Sequence, residues 1–161
     1  MTTSTKPAAV STFREKSDYK YFLPIQTRWS DNDQYGHINN SIYYHYIDTV
    51  VNEYLIRFCG LEPLDKTETK PIGLVVHSSA QFFAPASYPS VMEAGLVISK
   101  LGKSSVTYRV GIFEQQPDGD SSGRLAAVVG GFTHVFVDPK TRRPVSSLPA
   151  ELLDGLQKLT I

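Results

Sequence analysis

Residues 27–58 read TRWSDNDQYGHINNSIYYHYIDTVVNEYLIRF, and they join a polar, turn-forming cluster to a long apolar segment. The cluster is rich in Asp, Asn and Gly, which favour turns and helix caps. It therefore predicts that the chain leaves a strand near Ser30 and enters a helix near Asn40. Apolar residues then recur every three or four positions as far as Phe58, which predicts a helix that ends before Gly60 and buries one broad face. Any chemistry is expected at the junction between the cluster and the helix.

Length and composition restrict the class of protein. A chain of 161 residues is long enough for one domain with its own core. Sixteen basic and sixteen acidic residues cancel, so no overall charge attracts nucleic acid or an anionic membrane. The single Cys59 cannot form an internal disulfide, and no apolar run approaches the roughly 18 residues of a membrane helix. We expect a cytoplasmic protein with neither nucleic acid nor membrane as partner.

The first 17 residues, MTTSTKPAAVSTFREKS, show no periodicity and are rich in Ser, Thr, Lys and Ala. This composition predicts a disordered tail over residues 1–17, followed by a single domain over residues 18–161. The absence of acidic residues before Glu15 leaves organelle targeting by the tail open as an alternative.

Five segments have the pattern of strands. Residues 19–30 alternate apolar and polar side chains, and Pro24 favours an edge position for this strand. Four more candidates, which we expect to be antiparallel neighbours on short connections, are IGLVVHSSAQFFA, VMEAGLVISKL, SSVTYRVGIFE and RLAAVVGGFTHVFVD, at residues 72–84, 91–101, 104–114 and 124–138. Residues 148–159 can form a short surface helix. The order predicts an α+β fold, with an antiparallel sheet of about five strands wrapped around one long helix. A homodimer or a dimer of dimers would complete the core.

The stretch RWSDNDQYGHINNSIYYHYID resembles the signature of the hotdog-fold acyl-CoA thioesterases of the 4-hydroxybenzoyl-CoA thioesterase type. The resemblance spans about residues 19–138. It implies the hotdog fold, hydrolysis of an acyl thioester of CoA or of an acyl carrier protein, a site at a dimer interface, and no metal or other cofactor. In members of this family the second Asp of the pair is the catalytic carboxylate, which corresponds to Asp33.

Two related patterns differ from this one. The plant acyl-carrier-protein thioesterases have a similar stretch in which Asp, Asn and His act together. Asp33 and His37 match it, whereas Tyr35 stands at the position of their Asn. The 4-hydroxybenzoyl enzyme has an apolar residue at the position of His37 and a Tyr at that of Asn40. Neither His37 nor Asn40 is therefore needed in every member.

The chemistry can also be argued from the residues alone. Thioester cleavage needs an attacking oxygen, which Asp33 could supply by deprotonating water or by attacking directly. It also needs a polarised carbonyl, and the unpaired N–H groups around Gly36 and the helix start could hold the carbonyl oxygen. His37 could orient water, donate to the carbonyl or protonate the thiolate, and Asn40 could position either partner.

Each of these residues has a structural alternative. Asp33 could form an Asx turn or a helix cap, although Asp31 and Asn39 are better placed for that task. His37 could brace the loop, and Asn40 could cap the helix.

Further residues are candidates for binding the substrate. Gly36 and Tyr43 flank the predicted site, and Tyr43 could shape an acyl pocket. Lys100, Lys103 and Ser104 cluster at one predicted hairpin, where they would suit the phosphates of CoA. The alternative for this hairpin is an ordinary solvated turn.

Two other functions remain open on the same fold. One is an enoyl-thioester hydratase, whose Asp and His are typically five residues apart with Asn and Pro between them. Asp33 and His37 are four apart, which favours hydrolysis. The other is a non-catalytic acyl-CoA-binding module, which would tolerate the loss of Asp33.

Overall fold

The computed structural model describes residues 13–119 and 123–161. Two short 3-10 helices, Lys16–Asp18 and Trp29–Asp31, flank the first strand. The other elements, in chain order, are β1 Tyr21–Gln26, α1 Asn40–Phe58, β2 Ile72–Phe82, β3 Val91–Leu101, β4 Ser105–Glu114, β5 Val128–Val137 and α2 Ala150–Gln157. The prediction of one long helix followed by four strands is confirmed.

Helix α1 begins and ends where the sequence predicts. Asn39 caps its start, because its side-chain oxygen accepts a hydrogen bond of 3.0 Å from the N–H of Ser41. Gly60 follows the last turn with a φ of +68°, the left-handed conformation that commonly stops a helix. The buried face comprises Tyr43, Tyr46, Ile47, Val50, Val51, Tyr54 and Leu55. Phe58, expected on the same face, is 49% exposed, because its ring packs against Tyr21 of the edge strand β1 and against Tyr54, at the side of the core.

The five strands form one antiparallel sheet in the order β1-β3-β4-β5-β2. β1 is an edge strand, as Pro24 indicates. It stops at Gln26, so Trp29 lies in a 3-10 helix and is 83% exposed rather than half-buried in the strand. The expectation that β2 and β3 are neighbours is wrong. The connection from residue 83 to residue 90 contains two prolines, and it carries the chain across the sheet instead of forming a hairpin.

One face of the sheet packs against α1. The alternating apolar residues of β3 and β4 point to this face and are almost completely buried: Met92, Ala94, Leu96, Ile98, Val106, Tyr108, Val110 and Ile112. Their period of two is the one that the sequence shows. Together with the fold order, this burial confirms the α+β architecture with α1 as its central helix.

The other face of the sheet carries a smaller apolar cluster around Tyr19. Its ring packs edge-on against Phe113, with ring centroids 5.8 Å apart. A Cβ on Gly111 would lie 2.6 Å from the Tyr19 ring, so the close approach needs glycine there. The segment before β1 therefore covers this face.

The predicted tail, residues 1–17, falls largely outside the described residues, which begin at residue 13. The part that is described makes specific contacts. The Tyr19 hydroxyl donates to the Phe13 carbonyl at 2.6 Å, and the Ala126 N–H donates to the Arg14 carbonyl at 2.8 Å. Packed structure thus starts by Phe13, and the division into a tail and one domain stays a prediction.

Helix α2 lies where residues 148–159 predict a helix. Its Leu152 and Leu156 are buried, and the Tyr54 hydroxyl of α1 donates to the Gly155 carbonyl at 2.8 Å. α2 therefore closes the end of the core beside the last turns of α1. No helix in the described part of the chain is long and apolar enough to cross a membrane.

Candidate active site

A tight turn places Asp33 at the surface just before α1. The Gly36 N–H donates to the Asp33 carbonyl at 3.1 Å, and the Asp33 N–H donates to the His37 carbonyl at 2.9 Å. Gly36 has a φ of +78°, a conformation that costs glycine little. The Asp, Gly and His of the motif are thus set in one compact turn.

The loop after β2 holds this turn in place. The Ile38 N–H donates to the Ala86 carbonyl at 2.8 Å, and the Ser87 hydroxyl donates to the Gly36 carbonyl at 2.8 Å. Both ends of the turn are therefore tied to a second segment, which fixes the position of Asp33 relative to the end of β2.

The two carboxylates of the motif have different environments. Asp31 is fully buried, and it accepts hydrogen bonds from the Arg28 N–H at 2.9 Å and from the Tyr46 hydroxyl at 2.5 Å. An ion pair of 3.0 Å joins it to the Arg28 guanidinium. Burial by itself would raise the pKa of Asp31, but the hydrogen bonds and the Arg28 charge outweigh it and hold the pKa below its usual value. Asp31 anchors the loop to α1.

Asp33 is half-buried and less completely engaged. Its Oδ1 accepts a hydrogen bond of 2.8 Å from the Tyr35 N–H, which is an Asx turn. Its Oδ2 lies 3.4 Å from the side-chain amide of Asn39, a long contact. One oxygen thus sets the turn, and the other can face a substrate. The Asx turn, which is the structural alternative for Asp33, uses Oδ1, whereas the chemistry predicted for Asp33 would use Oδ2.

The start of α1 offers backbone donors next to Asp33. The N–H of Ser41 is capped by the Asn39 side chain, and the N–H of Ile42 donates to the Asn39 carbonyl at 3.0 Å. Asn40 is the first helical residue, and the N–H of a first residue has no partner within its helix. The helix therefore leaves the Asn40 N–H without a partner, seven residues after Asp33 along the chain.

Asp33, His37, Asn40 and Tyr43 line one cavity of about 410 Å³. The end of β2 and the loop after it form the opposite wall, which is mostly apolar: Phe82, Phe83, Ala84 and Pro85. The Tyr43 and Phe82 rings pack edge to face, 5.8 Å apart. The cavity therefore joins a carboxylate, an imidazole and a helix start to an apolar wall. We call it the Asp33 cavity.

The remaining candidates near the site occupy its mouth. His37 and Asn40 are exposed, and so is Tyr35, which lines the same cavity in the place where a related pattern has Asn. Gly36 forms the turn beside them. The structure thus brings Asp33 and its predicted partners together.

Lys100, Lys103 and Ser104 are not part of this group. They lie at the β3–β4 hairpin, and Val135 of β5 pairs with Ser105 at that end of the sheet. Val128 pairs with Phe82 at the Asp33 cavity, seven residues away along the same strand. At about 3.3 Å per residue, the hairpin is about 23 Å from the cavity of its own chain.

One contact at the cavity wall could not be predicted from a sequence pattern. The Arg14 guanidinium lies over the Phe83 ring, 3.8 Å from its centroid. Arg14 belongs to the non-periodic start of the chain, where no pattern marks a contact with the site. Phe82 and Phe83 are 47% and 42% exposed. In the sequence, the signal for this wall was the pair of consecutive aromatics shortly before Pro85.

Comparison with known proteins adds independent information. The model of the thioesterase superfamily matches residues 35–119, which include His37, Asn40 and Tyr43 and begin two residues after Asp33. No curated protein matches the chain significantly.

Solved structures share the whole fold. The PA5185 protein from Pseudomonas aeruginosa is 44% identical, the match covers 91% of this chain and 96% of that chain, and the TM-score is 0.82. A mutant 4-hydroxybenzoyl CoA thioesterase complexed with 4-hydroxybenzoyl CoA is 23% identical over 84% of this chain and 97% of that one, with a TM-score of 0.70. BH1999 gentisyl-coenzyme A thioesterase is 17% identical over 83% and 99%, with a TM-score of 0.67. At these last two identities the likeness concerns the fold alone, and it confirms the hotdog arrangement.

Proposed function

Because this chain belongs to the thioesterase superfamily, we propose that it hydrolyses an acyl-CoA thioester in the Asp33 cavity, with Asp33 as the catalytic carboxylate. The coarser part, hydrolysis of a thioester, follows from the family. The observation that carries the finer part is the juxtaposition, in one cavity, of a half-buried carboxylate with the first turn of α1. The resemblance to enzymes of the 4-hydroxybenzoyl-CoA type supports the same residue.

In the reaction, the oxygen of water adds to the thioester carbonyl carbon, and the carbon–sulfur bond then breaks. Asp33 Oδ2 removes a proton from the water, or attacks the carbon itself to give an anhydride that water hydrolyses. The thiolate of CoA leaves and takes up a proton. His37, the histidine of the turn, lies at the mouth of the cavity and would donate that proton. The products are the free acid and CoA.

The start of α1 stabilises the charge that develops on the carbonyl oxygen. The Asn40 N–H has no partner within the helix and lies at the positive end of the helix dipole. A backbone donor of this kind needs no reorganisation during the reaction, and removal of one such donor typically costs about a hundredfold to a thousandfold in rate. Asn40 would contribute through its backbone, which explains why its side chain can vary.

The walls of the cavity support an apolar or aromatic acyl group. Tyr43, Phe82 and Phe83 present rings, and the volume of about 410 Å³ is in the range of small-molecule sites. The thioesterase complexed with 4-hydroxybenzoyl CoA shares the fold and gives an example of an aromatic acyl group on it.

The proposal includes a homodimer in which two copies of the chain pair along the edge of β2. β2 is an edge strand of eleven residues, and its Val75 and Val76 are 53% and 61% exposed. A long apolar strand edge of this kind favours pairing with another strand. An antiparallel pair of β2 edges would place the second copy beside the Asp33 cavity, whose wall includes Phe82 at the end of the same strand.

The phosphate-binding role of the β3–β4 hairpin fits only such an assembly. Lys100 and Lys103 are exposed, and in their own chain they lie about 23 Å from the Asp33 cavity. We therefore assign them to the CoA bound at the cavity of another copy. Lys103→Ala should raise KM for acyl-CoA and leave KM for a short pantetheine thioester unchanged, because only CoA carries the nucleotide phosphates.

Release of thiol from a panel of aliphatic and aromatic acyl-CoA thioesters, followed with a thiol reagent, tests the function. The proposal predicts thiol release in step with the free acid. Hydration of an enoyl-CoA without thiol release would select the hydratase alternative. Binding of acyl-CoA without either product would select the non-catalytic module.

A further inference from the structure

The two groups that the proposed reaction needs lie on either side of Asn39. Asp33 precedes it in the turn, and the Asn40 N–H follows it at the start of α1. The Asn39 side chain contacts both elements. Its amide nitrogen lies 3.4 Å from Asp33 Oδ2, and its oxygen accepts a hydrogen bond of 3.0 Å from the Ser41 N–H. Any movement of Asn39 would therefore change the position of the carboxylate relative to the Asn40 N–H.

Asp31 holds Asn39 from the buried side of the loop. Its carbonyl oxygen accepts a hydrogen bond of 2.9 Å from the Asn39 N–H. Its side chain is fully buried and is not part of the lining of the Asp33 cavity. Asp31 therefore does not contact a substrate in this cavity, and it acts on the site through the position of Asn39.

One hydrogen bond joins the Asp31 carboxylate to α1. The Arg28 N–H and Nε, which donate to it at 2.9 and 3.1 Å, belong to the same loop as Asp31. The Tyr46 hydroxyl, 2.5 Å from Oδ2, belongs to the helix. Tyr46 is six residues after Asn40, which is about 9 Å along the helix axis. The hydroxyl therefore ties the loop to a part of α1 beyond the first turn, where helices fray.

The ring of Tyr46 and its hydroxyl have separate roles. The ring packs edge-on against Tyr43, with centroids 5.9 Å apart, and Tyr43 lines the Asp33 cavity. Tyr46 itself is 4% exposed and is not part of that lining. A phenylalanine at this position would keep the ring contact and lose the bond to Asp31. Tyr46→Phe therefore isolates the effect of the hydroxyl.

We propose that Tyr46 and Asp31 are positioning residues for thioester cleavage, an inference that rests on the proposed function. Their hydrogen bond fixes Asn39, and Asn39 in turn sets Oδ2 of Asp33 relative to the Asn40 N–H. A misplacement of about 1 Å can cost about a hundredfold in rate. Because neither positioning residue contacts the substrate, loss of their bond lowers kcat and leaves KM unchanged.

Tyr46→Phe and Tyr54→Phe form a matched pair for the test. Each removes one buried hydroxyl from α1, and the Tyr54 hydroxyl donates to the Gly155 carbonyl at 2.8 Å, near the other end of the helix. We expect Tyr46→Phe to lower kcat for thiol release about tenfold to a hundredfold at unchanged KM. Tyr54→Phe should keep both constants. A folded Tyr46→Phe protein with the wild-type kcat, or an equal loss of kcat in both variants, would overturn the proposal.

The Asp33→Asn background shows whether the hydroxyl acts through Asp33. The rate is measured in a single turnover with enzyme in excess, because this background is slow. Once Asp33 is replaced, no carboxylate is left to be misplaced, so Tyr46→Phe should lower the remaining rate by about threefold at most. A loss by the same factor in both backgrounds would contradict the proposal.

Arg28→Met reaches the same carboxylate from the other side and serves if Tyr46→Phe does not fold. The Arg28 side chain is 65% exposed, so its replacement leaves the core intact while Asp31 loses an ion pair of 3.0 Å. We expect kcat to fall about threefold or more at unchanged KM. A wild-type kcat in Arg28→Met would remove the role assigned to the Asp31 carboxylate.

The side-chain amide of Asn39 reports the same link without any turnover. In ¹⁵N-asparagine-labelled protein its NMR signals should shift in Tyr46→Phe and stay in place in Tyr54→Phe, because only the first hydroxyl is connected to Asn39. If the wild type cleaves no thioester, the proposed function fails, and these signals still decide whether Tyr46 sets the position of Asn39. Unshifted Asn39 signals in Tyr46→Phe would overturn the inference in either case.

Discussion

Acid should destabilise this protein through His134. Burial lowers the pKa of His134 from 6.5 to about 4 in the folded chain. Between pH 6.5 and pH 4 this histidine is protonated in the unfolded chain and neutral in the folded chain. The free energy of unfolding therefore falls as the pH falls. The difference of about 2.5 pH units, at about 1.4 kcal/mol per unit, amounts to about 3 kcal/mol. This stability is fully present above pH 6.5 and is lost by about pH 4.

Urea unfolding at several pH values between 7.5 and 4 measures this loss. The wild type contains other groups that titrate, so the quantity of interest is the difference from His134→Phe, which has no imidazole at that position. The stability difference between the two proteins should change by about 3 kcal/mol over this range. His45→Phe, which removes an exposed histidine of α1, should follow the wild type. Parallel pH profiles of the wild type and His134→Phe would refute the reasoning.

Three further predictions concern the frame of the site. Tyr46→Phe removes a donor to the buried Asp31 and should lower the free energy of unfolding by about 2 kcal/mol at pH 7, and by less once acid protonates the carboxylate. Asn39→Ala removes the cap of α1 and should cost about 1 kcal/mol by urea unfolding, while Asn39→Ser keeps most of that energy. Gly131→Ala should cost about 3 kcal/mol or more, because its Cβ would lie 2.0 Å from the Tyr108 carbonyl oxygen and φ is +153°.

Matched variants serve as controls for these measurements. Tyr44→Phe changes a more exposed tyrosine of the same helix and should have almost no effect. Gly119→Ala meets no atom of the described residues within 4 Å and should cost only about 1 kcal/mol for its φ of +81°. Equal losses in a variant and its control would show that the named contact does not matter.

The sequence predicts the elements of this fold because each has a strong local signal. The cap at Asn39, the helical spacing after it and the glycine at position 60 determine α1 from nearby residues alone. The alternation in β3 and β4 likewise marks the face that packs against the helix. The strand order could not be predicted in this way. β2 pairs with β5, which is distant in sequence, and no local pattern distinguishes that pairing from a hairpin between β2 and β3.

The residues of the candidate site likewise fall into a predictable local group and a group that comes from distant segments. Asp33, His37 and Asn40 are close in sequence, so one turn and one helix start are enough to bring them together. Phe82 and Arg14 reach the same wall from distant segments, and only the folded chain shows it. The hairpin with Lys103 could be recognised as basic, but its distance from Asp33 depends on the length of the strands.

The rate of thiol release by Asp33→Asn tests the central claim most directly. Asparagine keeps the oxygen that accepts from the Tyr35 N–H, so the turn and the thermal stability should be preserved. Asp138 forms a similar turn with the Lys140 N–H far from the cavity, and Asp138→Asn is the matched control. We predict a loss of about a hundredfold to ten-thousandfold in kcat for Asp33→Asn and none for Asp138→Asn. A folded Asp33→Asn protein that releases thiol at the wild-type rate would contradict the account.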